Sequence, residues 1–362
     1  MQKALLLFFI FISFHSYGQT SFTLADFYTN NPALDKKVNE VFNNLDEEAQ
    51  IAQMIIGSAG ELGKPEAVVK KLVQENKIGG LIFLKGEKST HTAFVKELNE
   101  IAQQNKQLPL LYSIDAEPSL LRTRIKGSQP VPETIDIQTV EACDSVTKII
   151  NQELHDIGIQ HNYAPVIDIS PNNAAIKKRS FGDKETTLAL SKTFIETSQA
   201  NQIVATAKHF PGHGLVQGDT HKQSVYIDGE MQELSMYPPM IDAGVLTIMV
   251  AHITVQNNPL YNTDGLPSTC SRKIVTDLLK DQLGFQGLVI TDALNMMKAI
   301  SVVKDGPLLA SKAGCDLLLM PIDEIGTLNA IKNEIKKDEA YKKQVHESVK
   351  KILRLKICLG MI

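Results

Sequence analysis

RKIVTDLLKDQLGFQGLVITDAL, residues 272–294, is the stretch on which the fold turns. Its first half sets Ile274, Leu278 and Leu279 at helical spacing. Its second half, GLVIT at 287–291, is a short β-rich apolar run that ends on an acid, Asp292. Working outward, the same kind of run recurs at 53–57, 80–84, 110–114, 159–164, 204–208, 246–251 and 315–320, which makes eight in all. Between the runs lie further helical spacings, among them Phe94, Leu98 and Ile101, and then Val146, Ile149, Ile150 and Leu154. Strands that read as continuous apolar runs are buried on both faces, as parallel strands covered by helices are. Eight such alternations predict an α/β chain folded as a single (β/α)8 TIM-type barrel. No linker rich in Pro, Gly or Ser interrupts the array, so we expect one domain over 19–362.

Composition narrows the function. The 362 residues are 43% hydrophobic and 22% charged with a net charge of -4, which is ordinary for a globular chain and excludes a disordered or collagen-like one. With 37 Lys and Arg against 41 Asp and Glu there is no basic field to neutralise phosphates, so nucleic acid is not an expected partner. The leader MQKALLLFFIFISFHSYGQT carries Lys3, an apolar run over 4–14, and Gly18 before Gln19. It reads as a signal peptide at 1–18. The run is shorter than the ~20 apolar residues of a membrane span, so a periplasmic or secreted protein with no retained membrane insertion is expected. Cys143, Cys270, Cys315 and Cys358 are few and scattered, form no C-x-x-C pair, and are expected to be buried free thiols.

In a barrel of this kind the reacting groups stand at the carboxyl ends of the strands. Those ends here carry Asp115 and Glu117, Lys208 and His209, His252, and Asp292. A single strand-end Asp is often only a helix cap. Several ionisable groups aimed at one mouth point instead to a site. The segment KHFPGHGLVQGDTHKQ, 208–223, is a long loop rich in Gly and His. A zinc pair made of His209 and His213 on one helix is disfavoured because Pro211 and Gly212 break that helix. No metal or cofactor is expected. Asp219 and His221 stand two apart, which in an extended backbone turns both to one side. The carboxylate can then accept from one imidazole nitrogen and leave the other for proton transfer. A solvated loop carrying an incidental His is the alternative.

NYAPVIDI at 162–169, RSFG at 179–182, KHFPGHG at 208–214, DTH at 219–221 and GFQGLVITDALNMMKAI at 284–300 resemble, in that order, the bacterial β-N-acetylglucosaminidase branch of glycoside hydrolase family 3. The resemblance runs from about residue 45 to the last helix. It implies that Asp292 is a nucleophile and that His221, oriented by Asp219, is the general acid/base. It also implies that Asp115, Arg179, Lys208 and His209 hold sugar hydroxyls. The chain departs from the family pattern at DAEPSLLRTR, where Pro118 and Ser119 replace two glycines and Thr123 stands where an arginine belongs. Arg122 or Arg124 is placed to compensate. It departs again at Leu215 and Val216, where Asp-Thr is usual.

The activity so implied is retaining exo-β-N-acetylglucosaminidase action on carbohydrate, with peptidoglycan fragments (muropeptides) or other GlcNAc glycosides as substrates. A histidine with an ordinary pKa near 6.5 suits protonation of a leaving oxygen followed by deprotonation of water near neutral pH. The alternatives are a phosphorylase or β-glucosidase of the same fold, because a neutral His does not repel phosphate, and a catalytically dead sugar-binding barrel.

Overall fold

The computed structural model describes residues 22–169, 176, 178–216, 225–295, 300 and 303–362. The expected signal peptide lies outside the described residues. Eight parallel strands form the barrel: β1 Ile55–Ala59, β2 Gly80–Phe83, β3 Leu111–Ile114, β4 His161–Asn162, β5 Val204–Phe210, β6 Thr247–Val250, β7 Leu288–Thr291 and β8 Leu318–Leu319. Each pairs with its neighbour in sequence, and β8 returns to β1 through Ile55 opposite Leu318 and Ile56 opposite Leu319. The ring closes between β7 and β8 at Ile290 opposite Leu317, where the amides of Asp316 and Leu317 both donate to the Val289 carbonyl. The (β/α)8 architecture read from the sequence is therefore the one observed.

All eight strands fall on the runs that predicted them, and every strand residue is buried. Burial on both faces is the reason the runs were apolar throughout rather than alternating. Their ends differ. β4 is shorter than expected because the Asn162 side chain brackets the Ala116 backbone, accepting from its amide at 2.9 Å and donating to its carbonyl at 3.2 Å. Pro165 then offers no amide to a ladder. β8 is shortened where the Asp316 carboxylate, rather than a backbone carbonyl, takes the Val289 amide at 2.8 Å. β5 runs two residues further than expected, and through it Lys208, His209 and Phe210 remain in the wall of the barrel.

The helices expected between strands are present as Lys88–Gln104, Val140–Ile157 and Lys273–Gln282, the last wound in π-type turns. Helix Lys184–Ala200 starts directly after RSFG, and its cap Asp183 accepts from the Thr186 amide at 2.8 Å. That cap fixes the segment carrying Arg179 against the barrel mouth. At the opposite end the long helix Glu339–Cys358 reaches under the strands. Its Lys356 is fully buried and donates to Gln53 Oε1 and to the carbonyls of Gly79 and Pro109, which precede β1, β2 and β3. All four cysteines are buried free thiols, as expected. Among the described residues no helix is long and apolar enough to cross a membrane.

Candidate active site

Asp115, Arg179, Lys208, His209 and Asp292 line one cavity of about 450 Å³ at the carboxyl ends of the strands. These five positions, spread over 178 residues of sequence, are brought together by the barrel. Asp219 and His221 lie outside the described residues.

The polar wall is built around a carboxylate that sequence reading had set at the mouth but given no role. Glu117, 1% exposed, accepts from Arg179 Nε and Nη2 at 2.7 Å each and from Lys208 Nζ at 2.7 Å. Burial opposes its ionisation, but the charges of Arg179 and Lys208 overcome that and hold the Glu117 carboxyl well below the usual carboxylate range. The same pairing raises the Arg179 guanidinium further above its usual value against the effect of burial. Lys208 also donates to Asp115 Oδ1 at 2.7 Å. An ammonium and a carboxylate this close can serve two adjacent sugar hydroxyls, one as donor and the other as acceptor. Arg124 Nη2 stands 3.6 Å from Asp115 Oδ2 and lines the cavity, whereas Arg122 is exposed. The irregular DAEPSLLRTR loop thus supplies its guanidinium one residue later than the family pattern would.

A second carboxylate, Asp168 after β4, organises the other side. Its Oδ2 lies 2.7 Å from His209 Nδ1, and its Oδ1 accepts from the His213 amide at 2.8 Å. Burial works against the charge on Asp168, but His209 and His213 outweigh it and its carboxyl is held low. The pairing fixes the His209 ring at the cavity wall with Nδ1 engaged.

Asp292 follows β7. Its Oδ1 accepts from the Ala293 amide at 2.7 Å, and its own amide donates to the Val250 carbonyl at 2.9 Å. Burial raises the carboxyl, yet His209, the Ala293 amide and Lys208 together keep it below its ordinary value. Asp292 is therefore a carboxylate at neutral pH, positioned at the mouth. His252 is buried, and burial lowers its pKa, so it is neutral. Its Nε2 faces the Ala293 carbonyl at 3.2 Å and must donate, which leaves Nδ1 to accept from the Thr269 hydroxyl at 2.7 Å. His252 thus fixes the turn whose amide holds Asp292.

The glycines of KHFPGHG have a steric cause. A Cβ on Gly212, whose φ is +131°, would stand 2.5 Å from Glu233 Cβ, and one on Gly214 would stand 2.6 Å from Glu233 Oε1 and 2.9 Å from the Ile169 backbone. Glu233 is buried, and burial together with Asp168 pushes its carboxyl up to about 7. Sequence reading set Glu117 at the mouth without a role and passed over Asp168 and Glu233. Glu117 had a signal, since it stands two residues from Asp115. Asp168 lies inside the NYAPVIDI motif. Glu233 had none.

The family model described as Glycosyl hydrolase family 3 N terminal domain matches residues 45–355. The chain is 31% identical over 313 residues to Beta-hexosaminidase A of Pseudoalteromonas piscicida, covering 78% of this chain and 51% of that protein. It is 30% identical over 304 residues to a Beta-hexosaminidase of Vibrio cholerae, covering 79% of this chain and 89% of the relative. The chain thus spans about half the length of the first relative and most of the second. Among solved structures, a glycoside hydrolase family 3 beta-N-acetylglucosaminidase from Paenibacillus sp. superposes with a TM-score of 0.79 at 29% identity, covering 88% of this chain and 63% of that one. The family match runs across all eight strands and the whole cavity wall, and the chain belongs to glycosyl hydrolase family 3.

Proposed function

We propose that the protein is an exported, retaining exo-β-N-acetylglucosaminidase that releases terminal GlcNAc from peptidoglycan fragments or other GlcNAc glycosides. The observation that carries this reading is the placement of Asp292. It is an ionised carboxylate at the barrel mouth, facing the same cavity as the Asp115, Lys208 and Arg179 cluster. The cluster offers alternating donors and acceptors to a sugar ring, and Arg124 extends it. Asp292 attacks the anomeric carbon while an acid protonates the departing oxygen, and water then releases the sugar with the acid acting as base. His221 serves as that acid and base, with Asp219 orienting its ring and favouring the imidazolium. Lys208 and His209 hold the sugar and help keep Asp292 charged. The leader at 1–18 supports export, and export would bring the enzyme to peptidoglycan.

A panel of aryl β-glycosides differing at the 2-position tests the reading. Preference for 2-acetamido over 2-hydroxyl substrates supports it. Preference for glucosides overturns it, and a phosphate-dependent turnover yielding sugar 1-phosphate would make the enzyme a phosphorylase.

A further inference from the structure

Glu233 lies on the turn Gln232–Met236, far in sequence from the residues it holds. It is 4% exposed. Its Oε1 accepts from the Ile169 amide at 2.7 Å, its Oε2 accepts from the Leu215 amide at 3.0 Å, and the Gly214 amide is also directed at it. These amides come from two backbone segments. Ile169 directly follows Asp168, the carboxylate that holds His209 and His213. Gly214 and Leu215 open the loop that carries Asp219 and His221. The close approach that excludes a Cβ at Gly212 and Gly214 is an approach to this same side chain. Next to it, Val216 and Val225, which flank the loop, are buried in one apolar cluster with Ala251 and Ile253. Burying a carboxylate is costly unless its lone pairs are satisfied. Here they are satisfied by the amides that define where the loop begins.

We propose that Glu233 is a positioning residue: by tying Gly214 and Leu215, from which the loop after β5 departs, to the segment carrying Asp168, it supports the proton transfer assigned to His221. The proposal rests on the reading of His221 as the acid/base. Glu233 does not touch the sugar. Its loss acts on proton transfer and spares the nucleophilic step.

The test compares Glu233→Ala and Glu233→Gln, in the full-length enzyme, on a dinitrophenyl and a methyl β-N-acetylglucosaminide. A dinitrophenolate departs without protonation and a methoxide does not. Glu233→Ala should lower kcat on the methyl glycoside about 30-fold with KM little changed, and alter kcat/KM on the dinitrophenyl glycoside by less than about threefold. Glu233→Gln, which keeps one acceptor oxygen, should recover part of the loss. Combined with His221→Ala, Glu233→Ala should cost nothing further. Hydrogen exchange supplies an independent readout. The amides of Ile169, Gly214 and Leu215 should exchange at least about tenfold faster in Glu233→Ala while those of β1 to β3 are unchanged. Equal losses on both substrates, losses that multiply with those of His221→Ala, or unchanged exchange at the stem would each overturn the proposal. Should His221→Ala itself show no dependence on leaving group, the acid/base reading fails, and exchange at the stem alone then decides the clamp.

Discussion

Replacing Glu117 by Gln removes one negative charge from a buried cluster of two cations and leaves the shape intact. Glu117 accepts three hydrogen bonds at 2.7 Å, two from Arg179 and one from Lys208, with almost no exposure to water. Breaking a buried pair by removing one partner costs roughly 3–5 kcal/mol, because a charge is left uncompensated. Gln keeps one acceptor oxygen but turns an NH2 toward a cation, so we place Glu117→Gln at about 3 kcal/mol within that range. Unfolding entropy scales at roughly 2.1 cal/mol/K per residue, or about 0.76 kcal/mol/K for 362 residues, so Tm should fall by about 4 °C. Lys208 and Arg179 would relax toward Asp115 and water. Misplacement of such groups by 1 Å can cost about 100-fold in rate, and kcat/KM should fall by about that factor. Calorimetry and steady-state kinetics read the two effects. The sign with pH is fixed as well. The folded carboxyl is depressed below its usual 4.5, so its stabilisation is present above that pH and is lost as pH falls. The gap in stability between wild type and Glu117→Gln should therefore narrow below about pH 4.5. A variant with Tm within about 1 °C of wild type and kcat/KM within about threefold would show that Glu117 does not hold the site together.

Three further outcomes are expected. His221→Ala should be severe on a disaccharide and mild in the first step on a dinitrophenyl glycoside, with a burst as the covalent intermediate accumulates; equal losses and no burst would remove His221 from the acid/base role. Lys356 is lowered by burial from 10.5 to about 7, so the unfolded chain binds the extra proton between these values and stability should rise with pH there, by up to about 1.4 kcal/mol per unit, relative to Lys356→Met. Denaturant titrations at pH 7, 8 and 9 read that difference, and parallel curves for the two proteins would contradict it. The mature protein should begin near Gln19 by intact mass from its native host, whereas a membrane-bound species retaining Met1 would refute cleavage.

The barrel was legible because parallel strands buried on both faces leave continuous apolar runs, and GLVIT, VATAK and LTIMVA each sit on a strand. Strand ends were less so, since Asn162 and Asp316 take backbone partners with their side chains where a ladder would otherwise continue. The cavity was legible in its individual charged residues, because Asp115, Lys208, His209 and Asp292 stand directly at strand ends. Its wiring was hidden. Glu117 meets Arg179 across 62 residues, and no local pattern announces such a pairing. Arg124 reaches Asp115 only because residues 121–124 make a helical turn, which brings it round where the motif placed Thr123. Glu233 left no mark of its own in the sequence. Its trace was the pair of glycines in KHFPGHG, whose missing Cβ atoms make room for it.

The central claim is that Asp292 forms a bond to the sugar. A slow-turnover 5-fluoro-N-acetylglucosaminyl fluoride, added to the intact enzyme, should arrest at the covalent stage, since the ring fluorine slows both steps while the anomeric fluoride, a good leaving group, speeds only the first. Digestion and fragment mass spectrometry should then place one sugar on Asp292, and Asp292→Ala should take up none. A label on Asp115 or Asp168, or hydrolysis with inversion and no label at all, would contradict the account.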